Sequence, residues 1–275
     1  MYRIAFYKLE NYHQCPLRVA LMEHFGYKGK LFLPQFIGLI AHEYYERLIC
    51  RWAGVEEPFD LETVVDKILR DRDPAFSREE GLKAWEKQPR DLWEQHLLGL
   101  LEGEQKGQIN REHEGWKPIS DDVVLHGFCD ILIERENERE IVDLKFTRKK
   151  HRYNYNQLMV YSYLFDAGKV SFLFFEPNGD VEKQTIEITP DNAKLKRLLG
   201  EMCWLAERIG DQNFSGFRPK HGSTCHPNRC AMWDFCPEVQ IGKDGKRYEE
   251  HSEWEGLEGL SAESELCTEE EQRNA

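Results

Sequence analysis

Residues 123–146 read VVLHGFCDILIERENEREIVDLKF, and this stretch decides the fold. Two short runs rich in β-branched and aromatic residues, VVLHGFCDILIE and EIVDLKF, flank the polar ERENER, a pattern that predicts two strands joined as a hairpin. Residues two apart in a strand share a face, so Asp143 and Lys145 project to one side while Val142, Leu144 and Phe146 project to the other. The second set can enter a core while the first faces a cleft. Asp130 stands within an otherwise apolar run, where a carboxylate is costly without a partner. The hairpin brings it alongside Asp143. Two carboxylates held close repel unless a cation lies between them, and a hard divalent ion such as Mg²⁺ or Mn²⁺ takes oxygen ligands of this kind. Such an ion could orient a water, lower its pKa and neutralise charge building on a phosphate. Lys145 would add a positive charge near the attacking water or the phosphate oxygens.

On the N-terminal side of the hairpin, QFIGLIAHEYYERLICRW (35–52) carries apolar residues at helical spacing. DLETVVDKILRD and REEGLKAWEKQPRDLWEQHLLGLLEGEQ are amphipathic and highly charged. On the C-terminal side, NYNQLMVYSYLFDAG predicts a helix that stops at a glycine. VSFLFFEPNGDVEKQTIEI predicts two more strands around the turn signal Pro-Asn-Gly-Asp, and a further helix spans about 191–209. The pattern holds no internal repeat. The expected class is α+β, with a mainly helical region over 1–110 carrying Cys15 and His42, a strand-rich core over 111–210, a cysteine-bearing segment over 211–240 packing back on Cys15, and an acidic tail over 241–275. Glu112 and Glu114, just before the hairpin, are read as part of a solvated approach loop that could bring further acids near the site. The basic run at 148–152, with Arg148, Lys149, Lys150 and Arg152, and the nearby Tyr153 and Tyr155 could hold phosphates and stack on bases.

The 275 residues suffice for a substantial core, and 40% of them are hydrophobic. No apolar run approaches the roughly 20 residues that span a bilayer, and MYRIAFYKLENYHQCP lacks the marks of a signal peptide, so the expected setting is cytoplasmic with no membrane partner. The formal net charge is −13, but residues 241–275 hold eleven acidic and four basic side chains, leaving −6 for the remaining 240. That tail has the composition of a disordered segment. Net charge therefore excludes no nucleic-acid partner, because such binding depends on local basic patches. Eight cysteines without a secretion signal are not a natural disulfide framework. Cys225, Cys230 and Cys236 lie in one turn-rich segment, CHPNRCAMWDFC, and Cys15 could supply a fourth thiolate. Four thiolates suit Zn²⁺ or an iron–sulfur cluster, and spacing alone does not separate the two. Cys129 falls on the strand face opposite Asp130 and is assigned to the core, while Cys50, Cys203 and Cys267 receive no role.

The ordered motifs carry a resemblance. GFCD at 127–130, VDLK at 142–145 and QLMVY at 157–161 resemble the RecB-type branch of the PD-(D/E)xK nucleases, and GLIAH at 38–42 resembles that branch's upstream helical histidine. The resemblance implies a restriction-endonuclease-like core, a small mixed sheet flanked by helices. It also implies a metal-dependent deoxyribonuclease, with His42, Asp130, Asp143 and the Leu144 carbonyl as ligands of Mg²⁺ or Mn²⁺ and Lys145 as catalyst. Gln157 and Tyr161, four apart on one helix face, would border the DNA path. The subset of these nucleases with one N-terminal cysteine and a C-terminal trio, including AddB-type and CRISPR-associated exonucleases, implies a [4Fe–4S] cluster on Cys15, Cys225, Cys230 and Cys236. The usual trio there is C-x2-C-x5-C; this chain has C-x4-C-x5-C, so the second gap matches and the first is longer. The implied activity is exonucleolytic, on single-stranded DNA ends, in CRISPR spacer acquisition beside an integrase complex or in DNA repair. The alternative is a non-catalytic iron–sulfur DNA-binding or adaptor protein that keeps the fold.

Overall fold

A computed structural model describes residues 1–27, 29–54, 59–102, 109–136, 138–146, 155–189, 192–218, 220, 230–232 and 236, without the side chains of Arg111 and Glu112. The described elements follow the order β1 (Tyr2–Ile4), α1 (Phe6–Gln14), α2 (Pro16–Glu23), β2 (Lys30–Leu31), α3 (Leu33–Ala53), α4 (Leu61–Arg70), β3 (Asp73–Pro74), α5 (Arg78–Glu86), α6 (Arg90–Leu101), β4 (Ile109–Pro118), β5 (Val123–Arg135), β6 (Glu138–Phe146), α7 (Asn156–Phe165), β7 (Lys169–Phe175), β8 (Val181–Glu187) and α8 (Ala193–Gly210). Among the described residues no helix is long and apolar enough to cross a membrane.

The chain divides into two compact units, one of Met1–Leu9 with Gly29–Ala206 and one of Glu10–Lys28 with Glu207–Ala275. In the first unit α3 buries Phe36, Ile40, Tyr45 and Leu48 in the same cluster as Ile131, Val142, Leu144 and Phe175 of the sheet. The helical lead-in is one layer of the core.

That core is a mixed sheet in the order β1-β5-β6-β7-β8, with β4 also paired to β5. The hairpin reading of 123–146 holds, with β5 and β6 antiparallel from Arg135↔Glu138 to Ile131↔Val142. So does the second hairpin, β7 with β8. Strand β6 runs parallel to β7, which requires a crossover, and α7 supplies it. The mixed sheet flanked by α3 and α7 is the restriction-endonuclease-like arrangement.

Strand β4 replaces the expected approach loop at Glu112 and Glu114, pairing antiparallel with β5 from Ile109↔Ile133 to Pro118↔Val124. It also fixes α7. Lys117 Nζ donates to the Tyr163 carbonyl at 2.8 Å and pairs with Asp166, placing a cation at the C-terminal end of the helix dipole. The helix stops at Asp166, whose φ of 53° is left-handed, two residues before the expected glycine. Gly115 and Gly127 face each other across β4 and β5. A Cβ at Gly127 would lie 3.2 Å from both Leu164 and Tyr161, and one at Gly115 would strike Phe165. The glycine of GFCD is therefore a packing requirement: α7 lies nearly on the sheet backbone there.

In the second unit, Cys15 precedes α2, with Pro16 starting the helix, where its missing N–H costs no hydrogen bond. Cys15, Cys230 and Cys236 all pack against one small cluster of Leu17, Leu21 and Met232. The segments are tied by Leu17 N–H donating to the Arg218 carbonyl at 3.3 Å and Lys220 Nζ donating to the His13 carbonyl at 3.0 Å.

Candidate active site

Strand β6 separates from β5 after the Ile131↔Val142 pair, and the candidate residues gather at that fork. Asp130 Oδ2 accepts the Leu144 backbone N–H at 2.6 Å, so a side chain fills the place a strand carbonyl would have taken. In an extended strand the N–H and C=O of one residue point to the same edge, which turns the Leu144 carbonyl toward β5 as well. The other Asp130 oxygen lies 3.4 Å from His42 Nδ1 on α3. The edge of the His42 ring packs on Phe146, whose own ring belongs to the aromatic stack with Tyr45 and Phe175.

Asp143 and Lys145 meet α7. Gln157 Nε2 donates to Asp143 Oδ1 at 3.3 Å, Lys145 Nζ donates to Gln157 Oε1 at 3.3 Å, and Lys145 Nζ lies 2.5 Å from Asp143 Oδ2. Tyr161, one turn on, hydrogen-bonds the Gln157 side chain; burial pushes its hydroxyl up to about 12, which keeps it protonated. The structure thus brings together His42, Asp130, Asp143, Leu144, Lys145, Gln157 and Tyr161 from four elements.

The electrostatics of the two carboxylates diverge. Burial pushes the Asp143 carboxyl up, to about 6, against the pull of Lys145, and the charge on Asp130 adds to the rise. Burial also acts on Asp130, but His42, Lys145 and the Leu144 amide outweigh it and hold its carboxyl below the ordinary range. Burial lowers the His42 imidazole, and Asp130 more than reverses this, so His42 is raised. The donor chemistry, two carboxylates with an imidazole and a peptide carbonyl, fits a hard divalent cation. The side chains here are engaged in ion pairs with one another, and among the described residues no group of three or more His, Cys, Asp or Glu side chains is arranged to hold a metal.

The remaining sites divide. Tyr155, before α7, donates its hydroxyl to Gln184 at 2.8 Å and sets its ring 5.3 Å from Phe172, so its ring is built into the fold. Arg148, Lys149, Lys150, Arg152 and Tyr153 lie outside the described residues, as do Cys225 and the tail over 241–275. Glu114 pairs with His126 at 3.1 Å. Cys129 is buried, as its assignment to the core required.

The profile of the PD-(D/E)XK nuclease superfamily matches residues 3–237. The chain belongs to that superfamily. The match spans strands β4 to β8 of the sheet, α3 and the three late cysteines of this PD-(D/E)XK nuclease. Nuclease activity and a DNA substrate follow from this membership, and such nucleases typically use Mg²⁺ or Mn²⁺. Similar solved structures include SSO0001 (17% identical, covering 82% of this chain and 95% of that one, TM-score 0.38). Another is a protein provisionally assigned as an exonuclease from Eubacterium rectale (10% identical, 83% and 87% covered, TM-score 0.47). A third is a phage related exonuclease from Haemophilus somnus 129PT (14% identical, 70% and 97% covered, TM-score 0.30). These likenesses are loose, and the superfamily assignment rests on the profile match alone. No curated relative matches the chain.

Proposed function

We propose that this protein is a Mg²⁺- or Mn²⁺-dependent DNA exonuclease of the RecB-type branch, preferring single-stranded ends. The observation that carries the reading is the hydrogen-bonded triangle of Asp143, Gln157 and Lys145 beside Asp130 at the fork of the sheet. His42, Asp130, Asp143 and the Leu144 carbonyl would hold the cation, which supplies Lewis acidity and lowers the pKa of a bound water. Lys145 places its ammonium where a nucleophilic water or a non-bridging phosphate oxygen gains negative charge. Gln157 holds Lys145 and Asp143 in register, and Tyr161 holds Gln157. Wild-type protein should shorten end-labelled single-stranded DNA with Mn²⁺ or Mg²⁺, and Lys145→Ala should not. Intact DNA across both metals would sink the reading in favour of the non-catalytic DNA-binding or adaptor protein.

We further propose a [4Fe–4S] cluster on Cys15, Cys225, Cys230 and Cys236, with Zn²⁺ as the alternative. The support is the packing of Cys15, Cys230 and Cys236 on one apolar cluster, with the partly buried Arg18 guanidinium close to Cys15 and Cys230. Its role is structural: metal-binding energy tied to ligands this far apart in sequence becomes folding energy. The setting that fits this activity is trimming DNA for CRISPR spacer acquisition beside an integrase complex, or repair.

A further inference from the structure

Two large hydrophobic side chains, Trp116 and Phe128, stand exposed on the sheet, at 47% and 50% of their surface. They are part of an ordered ladder. Trp116 and His126 are register partners across β4 and β5, with rings stacked at 3.9 Å and 28°. Phe128 meets the His126 ring edge-on at 5.1 Å. Glu114, the register partner of Phe128, holds His126 Nε2 at 3.1 Å and so fixes the imidazole in the stack. Arg3, from the adjoining β1, places its guanidinium 5.2 Å from the centre of the Trp116 ring. Gly115 and Gly127 alternate with these residues and face α7, so the ladder occupies the opposite face of β4 and β5.

We propose that this ladder is a base-stacking platform that delivers single-stranded DNA to the fork at Asp130, an inference that rests on the nuclease reading above. Three observations favour that occupant. The rings are pre-ordered and about half exposed, and unpaired bases can stack on such aromatic surface, whereas a duplex hides its interior base faces. Arg3 supplies a cation for the backbone beside the stack. The ladder shares its strand with the site: His126, Phe128 and Asp130 are every second residue of β5, positions less buried than those between them, and each step covers roughly 6.6 Å at the usual strand rise. Trp116, His126 and Phe128 therefore mark a path of a few nucleotides ending at the candidate metal ligands. Sequence reading missed them because Trp116 sits in a polar strand like an ordinary surface residue, while Phe128 sits in an apolar run where an aromatic reads as core.

The test measures fluorescence anisotropy of a labelled twenty-residue oligo-dT and of a blunt duplex, with EDTA to prevent hydrolysis. Each of Trp116→Ala and Phe128→Ala should weaken oligo-dT binding about tenfold, and the double variant about a hundredfold, with duplex binding unchanged. Trp116→Phe and Phe128→Tyr should retain affinity. Photocrosslinking of an iododeoxyuridine oligonucleotide to the wild type, mapped by mass spectrometry, should label Trp116 or Phe128. This measurement stands even if the alanine variants fail to fold. Wild-type protein that does not bind oligo-dT, a folded double variant that binds it as tightly as wild type, or crosslinks confined to other segments would each overturn the platform. Hydrolysis is scored separately: DNA cleavage with ring-independent binding removes the platform and keeps the nuclease. Ring-dependent binding without cleavage does the reverse.

Discussion

Asp130 accepts the backbone amide of Leu144 at 2.6 Å, so one carboxylate both closes the fork between β5 and β6 and offers charge to the site. The two roles separate by substitution. Asp130→Asn keeps an acceptor for the amide and loses the charge. It should retain the melting temperature within a few degrees while Mn²⁺-dependent hydrolysis falls about a hundredfold or more, the scale expected for lost electrostatic stabilisation of charge developing in the transition state. Asp130→Ala should lose both, at a stability cost of about 1–3 kcal/mol for the unsatisfied amide. A thermal melt beside a hydrolysis assay distinguishes them.

Gln157 touches both Lys145 and Asp143 and is a positioning residue. Gln157→Ala should lower kcat about tenfold to a hundredfold with little change in KM, because a misplaced ammonium weakens the transition state and not ground-state binding. A rise in KM with kcat unchanged would show that Gln157 contacts DNA instead.

Glu140 is buried on β6 and pairs with Lys183 at 2.5 Å and Arg135 at 3.3 Å, while Ser171 donates to it at 2.8 Å. Burial pushes its carboxyl up, but Lys183, Ser171 and Arg135 outweigh burial and hold it below the ordinary range. A carboxyl depressed in the folded state stabilises fully above its unfolded value, near ~4.3, and this is lost as pH falls through the lower folded value. Glu140→Gln should therefore melt lower than wild type at pH 7, and the gap should narrow as pH falls below the unfolded value and through the lower folded one. A gap that persists unchanged into acid would refute the linkage.

Protein purified anaerobically should be brown, with stoichiometric iron, and Cys15→Ser should lose the colour and melt at lower temperature, since cluster binding is coupled to folding. A colourless protein holding only zinc would replace the cluster with the alternative metal.

What the sequence revealed follows from where the signal is local. Strands β5 to β8 announce themselves through β-branched and aromatic runs separated by polar turn signals, and the fork residues through their motif order. Strand β4, INREHEGWKP, is polar on both faces because one face is open and the other is held to α7 through glycine, so no period of two marks it. The packing of α3 on the sheet was hidden because the helix declares its buried stripe but not the surface it covers. In the sequence Tyr155 reads as a ring that could stack on bases; the partner of its hydroxyl, Gln184, comes from β8, about thirty residues away.

Gly115 and Gly127 do more than admit α7. Tyr161 rests over Gly127 and holds Gln157, which in turn sets Lys145, so the two smallest residues of the sheet act as a spacer that calibrates the reach of the ammonium. Gly127→Ala would lift the helix by a few tenths of an ångström and lengthen that reach while altering none of the residues at the fork. Graded substitutions here offer a way to tune turnover from beneath the helix, as a shim adjusts a bearing without changing its surface.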